Sequence, residues 1–296
     1  MKRLLKRLLL FFGLFKYVKR VQKFLFPNDF DKKYGRIRRY VLKRNNINVA
    51  YNTTDKHSKR WFYPRYDNGN IHEPVATDLF IQHLCKEDCV FDLGAHLGYF
   101  TCLASKLTPN GEVHSFEVDG KCVPLIKRNL KINKLKNVFV NNYAVSDHND
   151  FEKIPLMKNP NPCLKINRGA IDFKEVKAIT IDDYVRSNNL SPNFIKIDVE
   201  GAEWKVLNGM QEVLNKNNVK LLIEVHVETL AVDFNTDYKQ ILSLLENKGY
   251  HMEEIESHRM ANSNFRRIDR NSELNGNTMI FCFKTPLPLK QATLSM

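Results

Sequence analysis

From Val75 onward, the chain alternates short apolar runs with stretches of helical periodicity. The apolar runs have the length of buried strands, and the helical stretches are long enough to cross back over a sheet. Connections of this kind join neighbouring parallel strands. The alternation therefore predicts an α/β fold in which helices cover a mostly parallel sheet.

The pattern gives approximate positions for these elements. We expect strands at residues 89–91, 113–116, 138–141, 194–197, 221–225, 250–255 and 279–283. We expect helices at residues 74–86, 99–106, 121–133, 181–187, 202–215 and 238–248. Proline and glycine residues interrupt the alternation between Phe151 and Ala178, which predicts a hairpin or loop insert there.

The chain divides into four segments. With 43% apolar residues in 296, it can bury one main core without disulfides, and we place this domain at residues 75–286. Residues 27–74 are polar, basic and aromatic in patches, and we interpret them as an N-terminal cap or linker. Residues 1–26 form a basic amphipathic segment, predicted to be a helical extension, and a short tail occupies residues 287–296.

The net charge of +13 is concentrated at the N-terminus. Residues 1–66 contain 19 Lys and Arg residues against three Asp residues, so the rest of the chain is close to neutral. An enzyme that acts on nucleic acid more often carries basic residues around its active-site face. The distribution therefore disfavours RNA or DNA as a partner.

The segment 1–26 contains no apolar run long enough to cross a bilayer. Its longest uncharged apolar run is residues 8–15, whereas a spanning helix needs about 20. It is compatible with an interfacial helix on anionic lipid and equally with a helix docked on the domain.

The six cysteines form no CxxC pair, and no signal-peptide cleavage site follows the apolar run of residues 8–15. We expect a cytoplasmic protein, with peripheral membrane contact as an option.

The most specific local signal follows the first predicted strand. Asp92, Gly94 and Gly98 stand there, directly before a predicted helix. The glycines allow a tight turn in which a ligand lies against backbone. His96 stands two residues after Gly94, so the spacing is not Gly-x-Gly-x-x-Gly, and a nicotinamide or flavin site is disfavoured.

The next two strand ends suit a nucleoside. Glu117 follows the second strand, where a carboxylate can accept hydrogen bonds from both ribose hydroxyls. After the third strand, Ala144 and Asp147 lie in a run where a small and a polar residue would flank an adenine. Ligands bind at the carboxyl ends of parallel strands, so these positions indicate one site.

These motifs resemble those of the FkbM family of methyltransferases, in the expected order over roughly residues 75–230. The runs that carry the resemblance are Asp92-Leu93-Gly94-Ala95-His96-Leu97-Gly98, Phe116-Glu117, Ala144-Val145-Ser146-Asp147, Ile181-Asp182-Asp183-Tyr184 and Ile195-Lys196-Ile197-Asp198-Val199-Glu200-Gly201-Ala202-Glu203. Two positions depart from the family pattern: His96 stands where Asn is common, and residues 118–120 replace a proline.

The resemblance implies a class I methyltransferase Rossmann-like fold, with a seven-stranded, mostly parallel sheet and an antiparallel last strand. It also implies S-adenosylmethionine as the methyl donor and, commonly, O-methylation of sugars or polyketide-type products. The predicted cofactor-binding residues are Asp92, Gly94, Ala95, Gly98, Glu117, Ala144, Asp147 and Asp198.

The reacting groups are expected at the ends of the fourth and fifth strands. Methyl transfer needs an oxygen aligned with the methyl group and a group that takes its proton. Asp198, Glu224 and His226 are the predicted catalytic residues, and Glu228 would share their side if the strand continued. A histidine near its usual pKa of about 6.5 suits a general base.

The carboxylates of Asp198, Glu200 and Glu224 also suit a divalent cation such as Mg²⁺, which would lower the pKa of a bound hydroxyl. Alternatively, Asp198 and Glu200 only cap the next helix, and His226 only ends a strand.

The leading hypothesis is an S-adenosylmethionine-dependent O-methyltransferase that acts on a hydroxyl of a carbohydrate or glycan-like substrate. An RNA methyltransferase is a second hypothesis, suggested by the basic N-terminus, although no Asn-Pro-Pro-Tyr-like motif follows the fourth strand. A third is a non-catalytic membrane or nucleic-acid binding protein on a methyltransferase fold. The intact cofactor carboxylates and glycines argue against it.

Overall fold

The computed structural model describes residues 29–63, 65–67, 69–155, 172–260 and 263–284. The predicted amphipathic segment 1–26, the tail 287–296 and part of the predicted insert lie outside the described residues. Within the described part, no helix combines the length and apolarity that crossing a membrane requires. Four of the described cysteines are buried and Cys85 is exposed, and all five are free thiols.

The elements alternate along the chain as the sequence pattern predicts. The helices are α1 (Asp29–Tyr34), α2 (Lys56–Phe62), α3 (Pro74–His83), α4 (Tyr99–Leu107), α5 (Val123–Asn133), α6 (Ile181–Asn188), α7 (Glu203–Asn208), α8 (Gln211–Leu214), α9 (Val227–Phe234) and α10 (Tyr238–Asn247). The strands are β1 (Arg39–Arg44), β2 (Ile47–Asn52), β3 (Cys89–Leu93), β4 (Glu112–Phe116), β5 (Val138–Asn141), β6 (Ala144–Val145), β7 (Phe151–Pro155), β8 (Phe173–Ile179), β9 (Phe194–Ile197), β10 (Lys220–His226), β11 (His251–Ile255), β12 (Phe265–Ile268) and β13 (Asn277–Phe283).

The main sheet has the order β12-β11-β13-β10-β9-β3-β4-β5. Strands β10, β9, β3, β4 and β5 pair in parallel, and β13 is antiparallel to both β10 and β11. The seven predicted strands and the antiparallel last strand are therefore confirmed. The eighth strand, β12, pairs with the outer edge of β11. Its sequence Phe-Arg-Arg-Ile has two charged residues in succession between its two apolar ones, so the hydrophobic pattern did not indicate it.

Two predicted elements end differently. The helix expected at residues 202–215 is divided into α7 and α8 at Gly209, where a Cβ atom would lie 2.0 Å from the carbonyl oxygen of Ser146. Strand β10 stops at His226 because α9 begins at the next residue. The strand does not persist to Glu228, so Glu228 does not share the side of Glu224 and His226, and its side chain is exposed in the first turn of α9.

The insert contains the predicted hairpin. Strands β7 and β8 pair antiparallel, and β8 also pairs in parallel with β6. These three strands form a separate small sheet of order β6-β8-β7. The chain thus leaves the main sheet after β5, which determines where the residues after Ala144 lie.

The N-terminal region, for which the sequence pattern predicted no definite structure, is a folded layer on the main domain. Strands β1 and β2 form an antiparallel hairpin. The amides of Ala50 and Asn52 on β2 donate to side-chain oxygens of Asn133 and Asn129 on α5, each at 2.8 Å. The Tyr51 hydroxyl donates to the carbonyl oxygen of Tyr99 at 2.9 Å. These bonds fix the layer beside the start of α4.

We expect Phe62→Ala to destabilise the protein by about 3–5 kcal/mol, because Phe62 is fully buried among aromatic rings and its loss leaves a cavity. Urea unfolding measures the change. Phe151→Ala is the matched control, since Phe151 is 59% exposed, and its effect should be much smaller. Equal losses in the two variants would show that the N-terminal layer contributes no core.

Candidate active site

The loop between β3 and α4 is shaped by two glycines in left-handed conformation. Gly94 has φ 87° and Gly98 has φ 74°. A Cβ atom on Gly94 would lie 1.8 Å from the carbonyl oxygen of Asp198, so only glycine allows the end of β9 to come this close. The amides of Gly94 and Ala95 both donate to the carbonyl oxygen of Phe116 at 3.0 Å. The loop is thereby bound to the strands on both sides.

Asp92 places a carboxylate beneath this loop. It is 1% exposed, and its Oδ2 accepts a hydrogen bond from the Thr101 hydroxyl at 2.5 Å. Its Oδ1 is buried and has no hydrogen-bond partner among the described residues. Burial raises the pKa of Asp92, and Lys196 and Thr101 oppose that rise. An unpartnered buried oxygen beside a cavity is a natural acceptor for a ligand.

Glu117 is held rigidly at the end of β4. Its Oε1 accepts from the amide of Asp119 at 2.7 Å, and its Oε2 accepts from the amide of His96 at 2.6 Å. Burial raises its pKa to about 7 despite these two bonds. Each carboxylate oxygen has a second lone pair, so the group can still accept from hydroxyls. His96, with φ 48°, turns the loop so that its amide reaches the carboxylate.

Of the two residues predicted to flank the adenine, Ala144 and Asp147, only Ala144 lies at the same cavity as Asp92 and Glu117. Tyr143, Ala144 and Val145 line the same cavity as Asp92 and Glu117. Asp147 is not among the residues that line it, and its carboxylate lies 2.8 Å from His148 Nδ1. The reason is topological, because the chain after Val145 turns to follow β8 in the small sheet. An adenine contact by Asp147 therefore has no support in this geometry.

His226 lies at the tip of β10 with a buried carboxylate behind it. Its Nδ1 is 2.8 Å from Oε1 of Glu203, which is fully buried, and its Nε2 is 3.8 Å from Glu224 Oε1 and 3.9 Å from Glu200 Oε2. Burial alone would lower the pKa of His226, but Glu203 and the neighbouring carboxylates raise it to about 9. The imidazole is thus mainly protonated at neutral pH. The sequence predicted a pKa near 6.5, at which the neutral form would be more abundant.

Glu224, the other predicted catalytic residue on β10, is an ionised partner for cations. Its Oε1 is 3.2 Å from Nη2 of Arg259 and 3.5 Å from Nε2 of His258. Burial would raise the pKa of Glu224, but His258 and His226 lower it to about 2. A carboxylate with so low a pKa is a poor proton acceptor at neutral pH.

Asp198 is paired with a buried lysine that the sequence reasoning did not select. Lys196 Nζ donates to Asp198 Oδ2 at 2.9 Å and lies 4.9 Å from the ring centroid of Phe100. Burial would lower the pKa of Lys196, but Asp198, Asp92 and Glu73 raise it. The signal that could have identified Lys196 is a charged residue in the middle of an otherwise apolar strand.

One carboxyl group in the cavity comes from the N-terminal layer. Glu73 precedes α3 and is 7% exposed, and burial raises its pKa to about 8. The cavity encloses about 310 Å³, and its wall includes Trp61, Arg65, Tyr66 and His72 from the same layer. The polar and aromatic composition of residues 27–74 gave no spacing that would have identified these side chains.

The geometry of a cation site partly matches the predicted one. Ligand atoms of Asp198, Glu200 and His226 lie within 4.8 Å of one another. Glu224, the third predicted ligand, is outside this group and His226 takes its place. The Nδ1 contact with Glu203 would orient Nε2 toward the two carboxylates, as outer carboxylates do for metal-binding histidines.

Comparison with known proteins agrees with the arrangement of the loop and strand ends. The family model described as the methyltransferase FkbM domain matches residues 92–252. The chain belongs to the FkbM methyltransferase family. The loop shaped by Gly94 and Gly98 and the unpartnered Asp92 oxygen fit S-adenosylmethionine, the methyl donor of this family.

Individual relatives of this FkbM protein are distant. The hexuronic acid methyltransferase AglP of Haloferax volcanii is 26% identical over 158 residues, which are 52% of this chain and 62% of AglP. The chain thus spans less than two thirds of the length of that relative.

Among solved structures, FkbM methyltransferase from Methylobacillus flagellatus is 18% identical, with 68% of this chain and 44% of that chain covered and a TM-score of 0.45. TYW2 from M. jannaschii in complex with AdoMet is 14% identical, with 84% and 86% covered and a TM-score of 0.41.

We expect Gly94→Ala to weaken binding of S-adenosylhomocysteine by about 100-fold or more, because the new methyl group would push the Asp198 backbone away from the loop. Calorimetry measures the affinity. Gly249→Ala is the matched control, since its φ of 82° imposes similar backbone strain while its Cβ meets nothing within 4 Å. Unchanged affinity in Gly94→Ala would contradict the role assigned to this close approach.

Proposed function

We propose that this FkbM methyltransferase transfers the methyl group of S-adenosylmethionine to a hydroxyl oxygen of a carbohydrate. The observation that carries the proposal is the His226–Glu203 pair at the end of β10. A ligand atom of His226 lies within 4.8 Å of one of Asp198, which follows β9. A buried histidine oriented by a carboxylate is the usual arrangement for removing a proton from a hydroxyl.

The donor would be held by residues on three strand ends. We assign the ribose hydroxyls to Glu117, the adenine to the wall that contains Ala144, and a polar group of the donor to the unpartnered oxygen of Asp92. Gly94, Ala95 and Gly98 give the loop its close approach to the ligand. The bound donor supplies an activated methyl group, and the protein has only to align the acceptor and take its proton.

Proton transfer then requires the neutral form of His226. As the acceptor hydroxyl is methylated, its proton would pass to Nε2 of His226, and Glu203 would stabilise the resulting imidazolium. With a pKa of about 9, the neutral imidazole is a minor species at neutral pH and becomes more abundant as the pH rises. Asp198, fixed by Lys196, would orient the acceptor hydroxyl.

A carbohydrate acceptor has two supports. The relative AglP acts on a hexuronic acid by its name. The cavity wall also carries the aromatic side chains of Trp61 and Tyr66 together with polar groups from several elements, and such a mixture suits a ligand with both C–H faces and hydroxyls. RNA as acceptor has neither support.

A divalent cation held by Asp198, Glu200 and His226 is a second route to the same product, because it would lower the pKa of a bound hydroxyl. Nε2 of His226 can either accept the proton of the hydroxyl or bind the cation, so the two routes exclude each other. Activity that is abolished by a chelator and restored by Mg²⁺ or Mn²⁺ would favour the cation.

The proposal is tested by incubating the purified protein with methyl-labelled donor and separate fractions of cellular glycans, lipids and RNA, with and without chelator. We expect label in glycans, stable to mild alkali as an ether is. Alkali-labile label would identify a methyl ester and contradict a hydroxyl acceptor, and label in RNA would overturn the carbohydrate assignment. Asp92→Ala is the inactive control, since it removes the proposed donor contact.

We expect Glu203→Gln to move the pH dependence of kcat to lower pH, because it removes the carboxylate that raises the pKa of His226 from its usual value of about 6.5 to about 9. In the wild type, kcat should rise with pH until about 9, as the imidazole loses its proton. The profile is measured between about pH 6 and 10 together with an NMR titration of His226.

Glu228→Gln is the control for this comparison, since Glu228 is exposed on α9 and should leave the profile unchanged. A Glu203→Gln profile that still rises near pH 9, in a variant whose unfolding curve is normal, would remove His226 as the base.

A further inference from the structure

Two arginines line the cavity without belonging to the donor or proton-transfer residues. Arg65 lies in the turn after α2, and Arg259 lies in the turn after β11. They come from opposite ends of the described chain, so the fold itself brings them to one cavity. Their sequence surroundings share no motif.

Among the described residues, Arg65 has no acidic partner. Its Nη1 donates only to backbone carbonyl oxygens, those of Trp61 at 3.2 Å and Arg60 at 3.5 Å. In the part of the chain that the structure describes, it forms no salt bridge, and its side chain is exposed. These carbonyl contacts orient the guanidinium at the end of α2 while leaving its charge uncompensated.

Arg259 is only partly compensated. Its Nη2 is 3.2 Å from Glu224 Oε1, and the side chain remains 51% exposed. Glu224 is shared at the same time with His258. An arginine has more donors than this one contact uses, so Arg259 can bind a second acceptor group without releasing Glu224.

The neighbouring titratable groups do not cancel this charge. Burial, together with the charges of Arg259 and Arg65, lowers the pKa of His72 to about 4, so both guanidinium groups act on that side chain and it remains neutral. Glu73, with a pKa of about 8, is mainly protonated at neutral pH. This part of the cavity therefore carries two arginines against one ionised carboxylate, Glu224.

We propose that the acceptor is an acidic sugar whose anionic group, a carboxylate or a phosphate, binds Arg65 with Arg259 beside it. This specificity rests on the proposed function, because it assumes a sugar in the cavity. A guanidinium with unused donors binds carboxylate or phosphate oxygens in bidentate geometry, and the excess of positive charge in this part of the cavity favours anions over neutral ligands there. The anion would fix the orientation of the sugar, while the hydroxyl to be methylated faces His226.

Binding to the full-length protein saturated with S-adenosylhomocysteine tests the proposal. Methyl glucuronide and glucose 6-phosphate are compared with the neutral methyl glucoside by calorimetry. We expect at least one anionic probe to bind about tenfold or more tightly than the glucoside, and Arg65→Gln to remove most of that preference. The two anionic probes distinguish carboxylate from phosphate.

Arg270→Gln is the matched control, because Arg270 is a similarly exposed arginine that pairs with Glu246 and does not line the cavity. Affinity for the glucoside should be the same in Arg65→Gln, Arg270→Gln and wild type. If neither anionic probe binds more tightly than the glucoside, or if Arg65→Gln weakens all probes equally, the proposal is wrong.

Methyl transfer to cellular glycans separated by anion exchange gives an independent result. Label confined to acidic fractions, with KM raised and kcat little changed in Arg65→Gln, supports the proposal. Label confined to neutral glycans overturns it while the proposed function stands. Label in RNA and in no glycan overturns both.

Discussion

The close approach of Gly94 to the backbone of Asp198 is the contact on which the site depends. It joins the loop after β3 to the end of β9, and the amide of Asp198 also donates to the carbonyl oxygen of Leu93 at 2.9 Å. The loop after β3 and the end of β9 are therefore positioned by backbone contacts, not by side chains that could adjust. A side chain at residue 94 would move the loop after β3 away from Asp198, even if the loop and the end of β9 each kept their own conformation.

The second constraint is the N-terminal layer, which closes the cavity that the sheet leaves open. Its attachment uses side-chain amides of α5 to satisfy the backbone of β2, and such bonds are costly to leave unmade once buried. His57 Nε2 lies 2.8 Å from His96 Nε2, so the layer also contacts the donor loop directly. Acceptor contacts and donor geometry are thus coupled through the same packed surface, and a substitution in the layer can affect both.

The sequence predicted the sheet because strands that are buried on both faces have a strong apolar signal. It predicted Asp92, Gly94 and Glu117 because polar residues and glycines directly after such strands indicate a ligand-binding site. It failed where the information is not local. Asp147 follows a motif but is carried away by the pairing of β6 with β8, and Arg65 and Arg259 acquire a shared role only in three dimensions. Strand β12 and helix α9 were missed because one lacks an apolar period and the other continues directly from a strand.

The run Glu200-Gly201-Ala202-Glu203 contains a side chain, Glu203, whose contact with His226 depends on a turn that the local sequence does not reveal. The sequence allowed Glu200 to cap the next helix, whereas it assigned no role to Glu203, which accepts from the amide of Gly201 at 2.8 Å. Yet Gly201, with φ 109°, has a Cβ position only 2.3 Å from Thr229, so the turn must be this tight for α7 to pack beside α9. The same turn sends Glu203 inward to His226. The bond from the Gly201 amide and the histidine contact use one oxygen of Glu203, and together they fix the imidazole more firmly than either would alone.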